Sequence, residues 1–578
     1  MKRFFVISAF SLIFIQTLIG QETSGKSYTN PNLKRPNSAA PNYPSPVTFS
    51  DVTGQTGINF HHFASPTTTK YLPETTGGGI AIFDFDNDGL MDLFFTNGAE
   101  ISEKMPKNAM PEKTNSKFWD RLFRQLPDGK FTDVTEKAGV AGTSYSFGVA
   151  VGDFNKDGFQ DLFVTRYGGA SLFRNNGNGN FTDITSESGI KVDGWATSAG
   201  FFDFNRDGRL DLFVTRYLDW NFENGGIYCG EMKPGFRAYC HPDNFQPVTS
   251  LLFRQNPDRT FTNVSESSGI SHSKGKALGL AFADFDDDGW TDIFVANDTI
   301  DQQLFRNQQD GTFAEIALSA GVAFDDNGKP FAGMGVDVAD FDNDGKQDIF
   351  ITAFSGETFP FFHNSGELIF DYVTRTSGIG QNTMLGTGWG TKFIDADNDG
   401  RRDIFLVQSH PSDNIEMITS FLKYKQPLML LRNMESGFQN VSLAAGDIFQ
   451  TDLAARGLAC GDINNDGMID AVVAQTNETP VILRNNGTKN NWIGLDLRGT
   501  NTTPNGEGAR VKVIDSENRQ QVFDVSNSGS YLSANDQRLI IGLGTAKNVI
   551  SVEIRWNNGK IQKLNDPEIN RYHLVKET

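Results

Sequence analysis

The run Asp84-Phe85-Asp86-Asn87-Asp88-Gly89-Leu90-Met91-Asp92, followed at once by Leu93-Phe94-Phe95, sets carboxylates at positions one, three, five and nine of a loop that then enters an apolar segment. Side-chain oxygens at those positions, with the backbone carbonyl of position seven, can wrap a hard cation that takes about six to eight oxygen ligands. Glycine at position six permits the sharp reversal. An EF-hand would carry glutamate at position twelve between two helices, whereas Phe95 stands there inside an apolar run. The loop therefore feeds a strand.

The pattern D-x-[DN]-x-D-G-x-x-D occurs seven times. The first copy offers Asp84, Asp86, Asp88, Leu90 and Asp92; the second Asp153, Asn155, Asp157, Phe159 and Asp161; the third Asp203, Asn205, Asp207, Arg209 and Asp211; the fourth Asp284, Asp286, Asp288, Trp290 and Asp292. The fifth offers Asp340, Asp342, Asp344, Lys346 and Asp348; the sixth Asp395, Asp397, Asp399, Arg401 and Asp403; the seventh Asp462, Asn464, Asp466, Met468 and Asp470. At position seven only the carbonyl is counted. One Asp-Gly turn needs no metal, but repeated clusters of carboxylates repel one another unless a cation neutralises them. Calcium suits such flexible oxygen cages, whereas magnesium demands a near-ideal octahedron and zinc prefers histidine or cysteine. Up to seven calcium sites are expected.

First ligands lie 50 to 81 residues apart, too far for a calcium β-helix and right for one small sheet per loop. Each unit reads as an apolar segment such as Ala199 to Phe202, the loop, a strand such as Leu210 to Thr215, and two further strands. The last two are clearest at Ser171 to Asn175 and Phe181 to Thr185, joined by Asn176-Gly177-Asn178-Gly179. Fourth-strand signals begin at Phe49, Phe131, Phe181, Phe261, Phe313, Phe370 and Phe438; third-strand signals include Leu122-Phe123-Arg124, Leu304-Phe305-Arg306 and Ile482-Leu483-Arg484-Asn485. The two series are offset by one, so Phe49 to Thr53 has no loop before it and the last unit lacks a fourth strand. Pairing them closes a ring and removes the exposed sheet edges; Trp492 to Leu497 is the alternative fourth strand. The expected fold is all-β: a seven-bladed β-propeller with calcium-binding loops over 46–490, then a small β module over 491–578. In that module Val511, Val513, Val522 and Val525 are spaced by polar residues, and a turn falls at Asn558-Gly559.

The seven loops resemble the calcium-binding FG-GAP/VCBS repeats of integrin-α-type propellers over residues 46 to about 490. Gly506-Glu507-Gly508-Ala509-Arg510-Val511, Gly529-Ser530-Tyr531-Leu532-Ser533, Ile541-Gly542-Leu543-Gly544 and Val552-Glu553-Ile554-Arg555-Trp556 resemble the ASPIC/UnbV domain. Together they are similar to the cartilage acidic protein family. Asn557-Asn558-Gly559 stands where that family commonly has a Pro-Ser-Gly-type turn, and either makes a tight reversal.

Around this frame, 578 residues with 38% hydrophobic and 12% aromatic content, 49 of them Phe, provide ample core. Lys and Arg total 51 against 71 Asp and Glu, a formal charge of -20, which disfavours nucleic acid and anionic membranes as partners. Lys2 and Arg3, the apolar run Phe4 to Ile15, and Gly20 follow the order of a secretory signal over 1–20. A Pro/Asn/Ser-rich linker occupies 21–45, and the mature chain is expected to carry no transmembrane helix. A secreted, periplasmic or cell-surface location follows. It would permit a disulfide between Cys229 and Cys240 in the insertion Trp220 to Pro247, with Cys460 a buried thiol.

Five residues beyond the last loop aspartate stand Asn97, Arg166, Arg216, Asn297, Ala353, Gln408 and Gln475, with Asp298, Glu357 and His410 near in sequence. These amides and guanidiniums, with His410, form the expected ligand-binding ring for a carboxylate, sulfate or sugar; polarity at strand ends that meet water would produce a similar pattern. No H-E-x-x-H, G-x-S-x-G, Walker or dinucleotide motif occurs, and no catalytic residue is singled out. The leading expectation is extracellular recognition or adhesion of a protein or glycan ligand. A propeller-scaffold hydrolase or lyase acting on an anionic polysaccharide, and a structural cell-surface protein, are the alternatives.

Overall fold

The computed structural model describes residues 25–28 and 43–578. The signal expected over 1–20, and most of the linker expected over 21–45, lie outside the described residues. Each acid loop joins the innermost strand of a four-stranded antiparallel sheet to the second. In the first copy Ile80–Phe83, Asp92–Phe95, Arg121–Gln125 and Phe131–Asp133 pair in that order. Seven such sheets occur among the described residues, one of them extended by Phe331–Ala332. The seventh is Ala455–Gly461, Asp470–Gln475, Val481–Asn485 and Phe49–Asp51, with Phe49 opposite Asn485. The N-terminal strand thus completes the last sheet.

The innermost strands Ile80–Phe83, Ser146–Gly152, Ala196–Phe202, Ala277–Ala283, Val336–Ala339, Gly388–Ile394 and Ala455–Gly461 each touch the next, and the last touches the first. This cyclic contact defines a propeller. The strands are rich in small residues because they converge on the axis. A Cβ on Gly148, Gly335 or Gly457 would sit 2.4, 2.0 or 1.9 Å from the carbonyl oxygen of Thr197, Trp389 or Gly78 on the neighbouring blade. Farther out, aromatic rings fill the gaps between sheets. The position-two residues Phe85, Phe154, Phe204, Phe285 and Phe341 meet Phe181, Phe261, Phe313, Phe370 and Phe438 of the following fourth strands at centroid distances of 5.8–6.1 Å. Such pairs add about 0.5–1.5 kcal/mol each beyond burial.

Asn491–Arg498, which includes Trp492 to Leu497, belongs to the C-terminal module. It pairs antiparallel with Leu539–Gly544 and parallel with Tyr572–Lys576. A second sheet runs Gln520–Asp524, Arg510–Asp515, Val549–Arg555, Ile561–Asn565, and the two enclose Ile493, Val511, Val513, Val552, Ile554 and Trp556. The Asn558-Gly559 turn closes through Trp556 N–H to the Lys560 carbonyl at 2.9 Å.

Between these sheets, residues 527–536 leave the module and enter the propeller axis. Ser530 exchanges backbone hydrogen bonds with Val336, and Ala534 does the same with Ile80 and Ile82. Leu532 accepts from Val149 N–H, Gly529 donates to Leu280, and Asp536 donates to Cys460. Tyr531 is 0% exposed; its hydroxyl donates to the Thr76 carbonyl at 2.9 Å, and its ring lies 5.1 Å from Trp389. The inner edges of the blades would otherwise leave these backbone groups unpaired, a costly state once buried. At the other end, the insertion is pinned by a Cys229–Cys240 disulfide with Cα atoms 5.3 Å apart. Gly25 and Ser27 form bridges with those two cysteines, and Tyr28 is buried against His241 and Phe354. Cys460 is a free, buried thiol whose pKa burial raises.

Candidate metal centres

All seven acid loops adopt one internal hydrogen-bond pattern. The position-six glycine N–H donates to Oδ2 of the position-one aspartate at 2.7–2.9 Å. The position-seven N–H donates to Oδ1 of the position-five aspartate at 2.8–3.0 Å. Position four takes a left-handed backbone at φ 55–63° in every copy, which explains asparagine there in Asn87, Asn343, Asn398 and Asn465. The loops are thereby shaped to aim their remaining oxygens inward.

Four loops bring three carboxylate oxygens within 4.8 Å of one another: Asp84, Asp86 and Asp92; Asp284, Asp286 and Asp288; Asp340, Asp342 and Asp348; Asp395, Asp397 and Asp399. The Asp153, Asp203 and Asp462 loops carry asparagine at position three, and there the amide donates to the position-five carboxylate at 2.8–3.0 Å. Oδ1 of Asp86, Asp284 and Asp340 is buried without a hydrogen-bond partner. Burial pushes Asp92 and Asp395 up to about 8 and Asp284 and Asp340 to about 7; carboxylates of the same loop add to the rise at Asp92, Asp340 and Asp395, and Asp524 of the C-terminal module does so at Asp284. Clustered, dehydrated carboxylate oxygens with no partner fit a hard divalent cation, which would supply the missing charge.

Position nine has a second task. Its Oδ1 accepts the N–H of a residue at or near the end of the third strand at 2.7–2.8 Å in all seven blades. That residue is Gln125, Asn175, Gln255, Asn307, Asn364, Asn433 or Asn485, and its side-chain amide donates to the position-two carbonyl of the preceding loop at 2.8–3.1 Å. A complete circle of amide clasps therefore ties every blade to its neighbour. A second, broken circle runs through position four. Asn87, Asn343, Asn398 and Asn465 donate to the glycine carbonyl of the next loop, Asn465 reaching Gly89 across the seam. Arg206 continues the circle to the Gly289 carbonyl, and at the two remaining loops the C-terminal module enters: Lys156 donates to the Thr502 carbonyl, and Asp287 pairs with Arg510 and Arg555. The module also reaches position one, through Arg555 to Asp284, Asn557 to Asp203 and Tyr572 to Asp462 at 2.6–2.9 Å.

The expected donor ring at the far ends of the second strands is not an open site. Asn97 is buried, donating to the His61, Lys117 and Trp119 carbonyls and accepting from Phe63 N–H. Asn297, Gln408 and Gln475 are buried and donate to the Asp301, Pro427 and Thr479 carbonyls, while Arg166 and Arg216 bond the Ala170 and Thr249 carbonyls. His410 is 0% exposed and held near pKa 3 by burial, and its Nδ1 accepts the Ser412 N–H. These groups brace loops leaving the strands. Polar residues there satisfy backbone, and neither the open-ligand expectation nor simple exposure to water describes them.

Residues 114–164, 153–214 and 284–351 match the FG-GAP-like repeat family, and residues 499–578 match the ASPIC and UnbV family. The protein is an all-β FG-GAP-repeat propeller with a C-terminal ASPIC and UnbV domain. It is similar to cartilage acidic protein 1 of Xenopus tropicalis (27% identity) and of Homo sapiens (26%), each over 309 residues and 52% of this chain. The match spans 44% of each relative's length. BP39L lectin from Burkholderia pseudomallei aligns at TM-score 0.41 and 10% identity, covering 71% of this chain and 96% of that one. The propeller assignment rests on the strand pairing and cyclic contacts. Among the described residues no helix is long and apolar enough to cross a membrane.

Proposed function

We propose that the protein is an exported, calcium-stabilised propeller that recognises a protein or glycan ligand outside the cytoplasm. The convergence of three carboxylate oxygens in each of four loops, with buried Oδ1 atoms lacking partners, carries the calcium reading. The Cys229–Cys240 disulfide supports an oxidising compartment. With the axis stoppered by Tyr531 and the far strand ends engaged internally, the ligand surface moves to the metal edge. A cavity of about 530 Å³ opens there between the Asp284 and Asp340 loops and the C-terminal module, lined by Arg510, Lys512, Arg555 and Lys346 beside Asp286 and Glu553. That volume and its mixed polar lining suit a sugar chain or a polar peptide.

Thermal unfolding in EDTA and across a calcium titration, with bound metal counted by elemental analysis, tests the foundation. A cation bound only by the fold raises stability by mass action, so a calcium-dependent rise in Tm with several bound ions is expected. No rise and no bound calcium would reduce the loops to Asp-Gly turns. Calcium-dependent binding on a glycan or peptide array, weakened by Lys512→Glu, then tests recognition at the cavity.

A further inference from the structure

The third-strand residue just before each amide clasp is arginine in six blades, Arg124, Arg174, Arg254, Arg306, Arg432 and Arg484, and histidine in one, His363. The arginines fall into two groups. Where position three of the loop is aspartate, Arg124, Arg306 and Arg432 reach the carboxylates of positions three and five. Where position three is asparagine, Arg174, Arg254 and Arg484 are exposed. The arginine thus offsets the additional carboxylate. The Asp340 loop has aspartate at position three, yet there the cation is replaced by an imidazole.

Arginine has only donors, whereas a neutral imidazole presents a lone pair that ligates metal. His363 Nε2 lies 3.1 Å from Asp342 Oδ2 and 3.8 Å from Asp344 Oδ2. Those ligand atoms form a triad within 4.8 Å, different from the Asp340, Asp342 and Asp348 triad of the same loop; Asp342 and Asp344 are also positions three and five of the calcium loop, so the two ions would share both carboxylates. Nε2 is shielded from solvent and has no hydrogen-bond partner of acceptable geometry. The Phe341 ring stands at 89° to the imidazole at 5.9 Å, limiting its rotation. Two ligand atoms each about 2.0–2.2 Å from a zinc-like ion and subtending a tetrahedral or octahedral angle would be roughly 3.0–3.5 Å apart, which the Asp342 contact meets. Lys346 Nζ pairs with Asp344 Oδ2 at 2.5 Å, so binding there requires its ammonium, 40% exposed, to turn outward to solvent.

From these distances we infer that Asp342, Asp344 and His363 form a second cation site on the rim of the Asp340 loop, selective for a borderline first-row divalent ion such as zinc. Imidazole nitrogen favours such ions over calcium, which takes oxygen. The inference rests on the loop reading above but concerns a different ion, so the two can fail separately.

The test compares the full chain with His363→Arg, which installs the residue the sibling blades use, and with His363→Gln. In excess calcium, the wild type should take up about one more equivalent of cobalt or zinc than either variant, counted by elemental analysis. It should also show a visible cobalt band that both variants lack. The calcium-induced rise in Tm should be the same in wild type and His363→Arg. Equal cobalt uptake with the calcium response intact would overturn the site and leave His363 as a counter-ion. Loss of the calcium response in the wild type would overturn the loop reading, while the cobalt difference between the wild type and the two variants would still decide this site.

Discussion

Asn485 stands opposite Phe49 where the first strand meets the last sheet, and its amide ties that sheet to the sixth loop, so its removal should loosen the seam selectively. Its Nδ2 donates to the Ala396 carbonyl at 2.8 Å and the Ile469 carbonyl at 3.3 Å, and its Oδ1 accepts from Gly487 N–H at 2.9 Å. The residue is 1% exposed, so Asn485→Ala strands at least one buried carbonyl. Each net hydrogen bond contributes about 1 kcal/mol, and an orphaned buried group costs about 1–3 kcal/mol. With the 3.3 Å contact discounted, about 3 kcal/mol is expected. The amides that report on the seam are Phe49, bonded to the Ala445 carbonyl at 2.7 Å, and Val52, bonded to Ile482 at 2.9 Å. Hydrogen exchange followed by mass spectrometry on a peptide covering them should show protection falling on the order of 100-fold, since about 1.4 kcal/mol is a factor of ten. Asn175→Ala removes the same clasp away from the seam, where Nδ2 bonds Phe85 at 2.8 Å. It should leave residues 49–52 protected. Equal protection of that peptide in both variants, or less than about a threefold loss in Asn485→Ala, would refute the clasp as a support of the seam.

Two further outcomes are expected. Burial holds Asp92 and Asp395 near 8 and Asp203, Asp284 and Asp340 near 7 without a cation, against about 3.9 in an unfolded chain. The cation-free fold then binds more protons than the unfolded chain, so its stability falls as pH rises from about 4 to about 8. Calcium requires the ionised carboxylates, so the Tm gained from calcium should grow between about pH 5 and about pH 8; a flat gain across that window contradicts the assignment. Tyr531→Ala should cost about 3–5 kcal/mol as a buried aromatic truncation, and Tyr531→Phe about 1 kcal/mol for the lost bond to Thr76. Denaturant melts in which both variants match the wild type would show that the axial segment adds no stability.

The ring was legible because its repeat carries two independent signals, the acid loop and the offset Phe-led outer strand; their offset placed Phe49 beside Val481–Asn485. The amide clasps had a signal too, asparagine or glutamine at or near the end of every third strand, but a side chain's acceptor on the preceding blade has no trace in local spacing. The same blindness misplaced Asn97 and Gln475. Polarity at a strand end reads as exposure, and only the packed loops reveal that backbone carbonyls consume the amide donors. The plug around Tyr531 was hidden because its partners, Ile80, Val149, Leu280 and Val336, are scattered over most of the chain. His363 has no signal of this kind because it lies outside the nonapeptide, on the third strand, and meets the loop only through the fold.

The strand that closes the ring also sets a clock. Ser50 on the first strand bonds Asn486 from 436 residues away. A ribosome adding about 5–20 residues per second needs roughly 20–90 s to span that interval. Until then the Phe49 strand has no partner and the growing sheet array keeps two open edges, the template on which chains pair with one another. A chain interrupted anywhere before Val481 would keep those edges permanently. The emergence of Val481–Asn485, and not the folding of any one blade, fixes the earliest moment at which the ring can close.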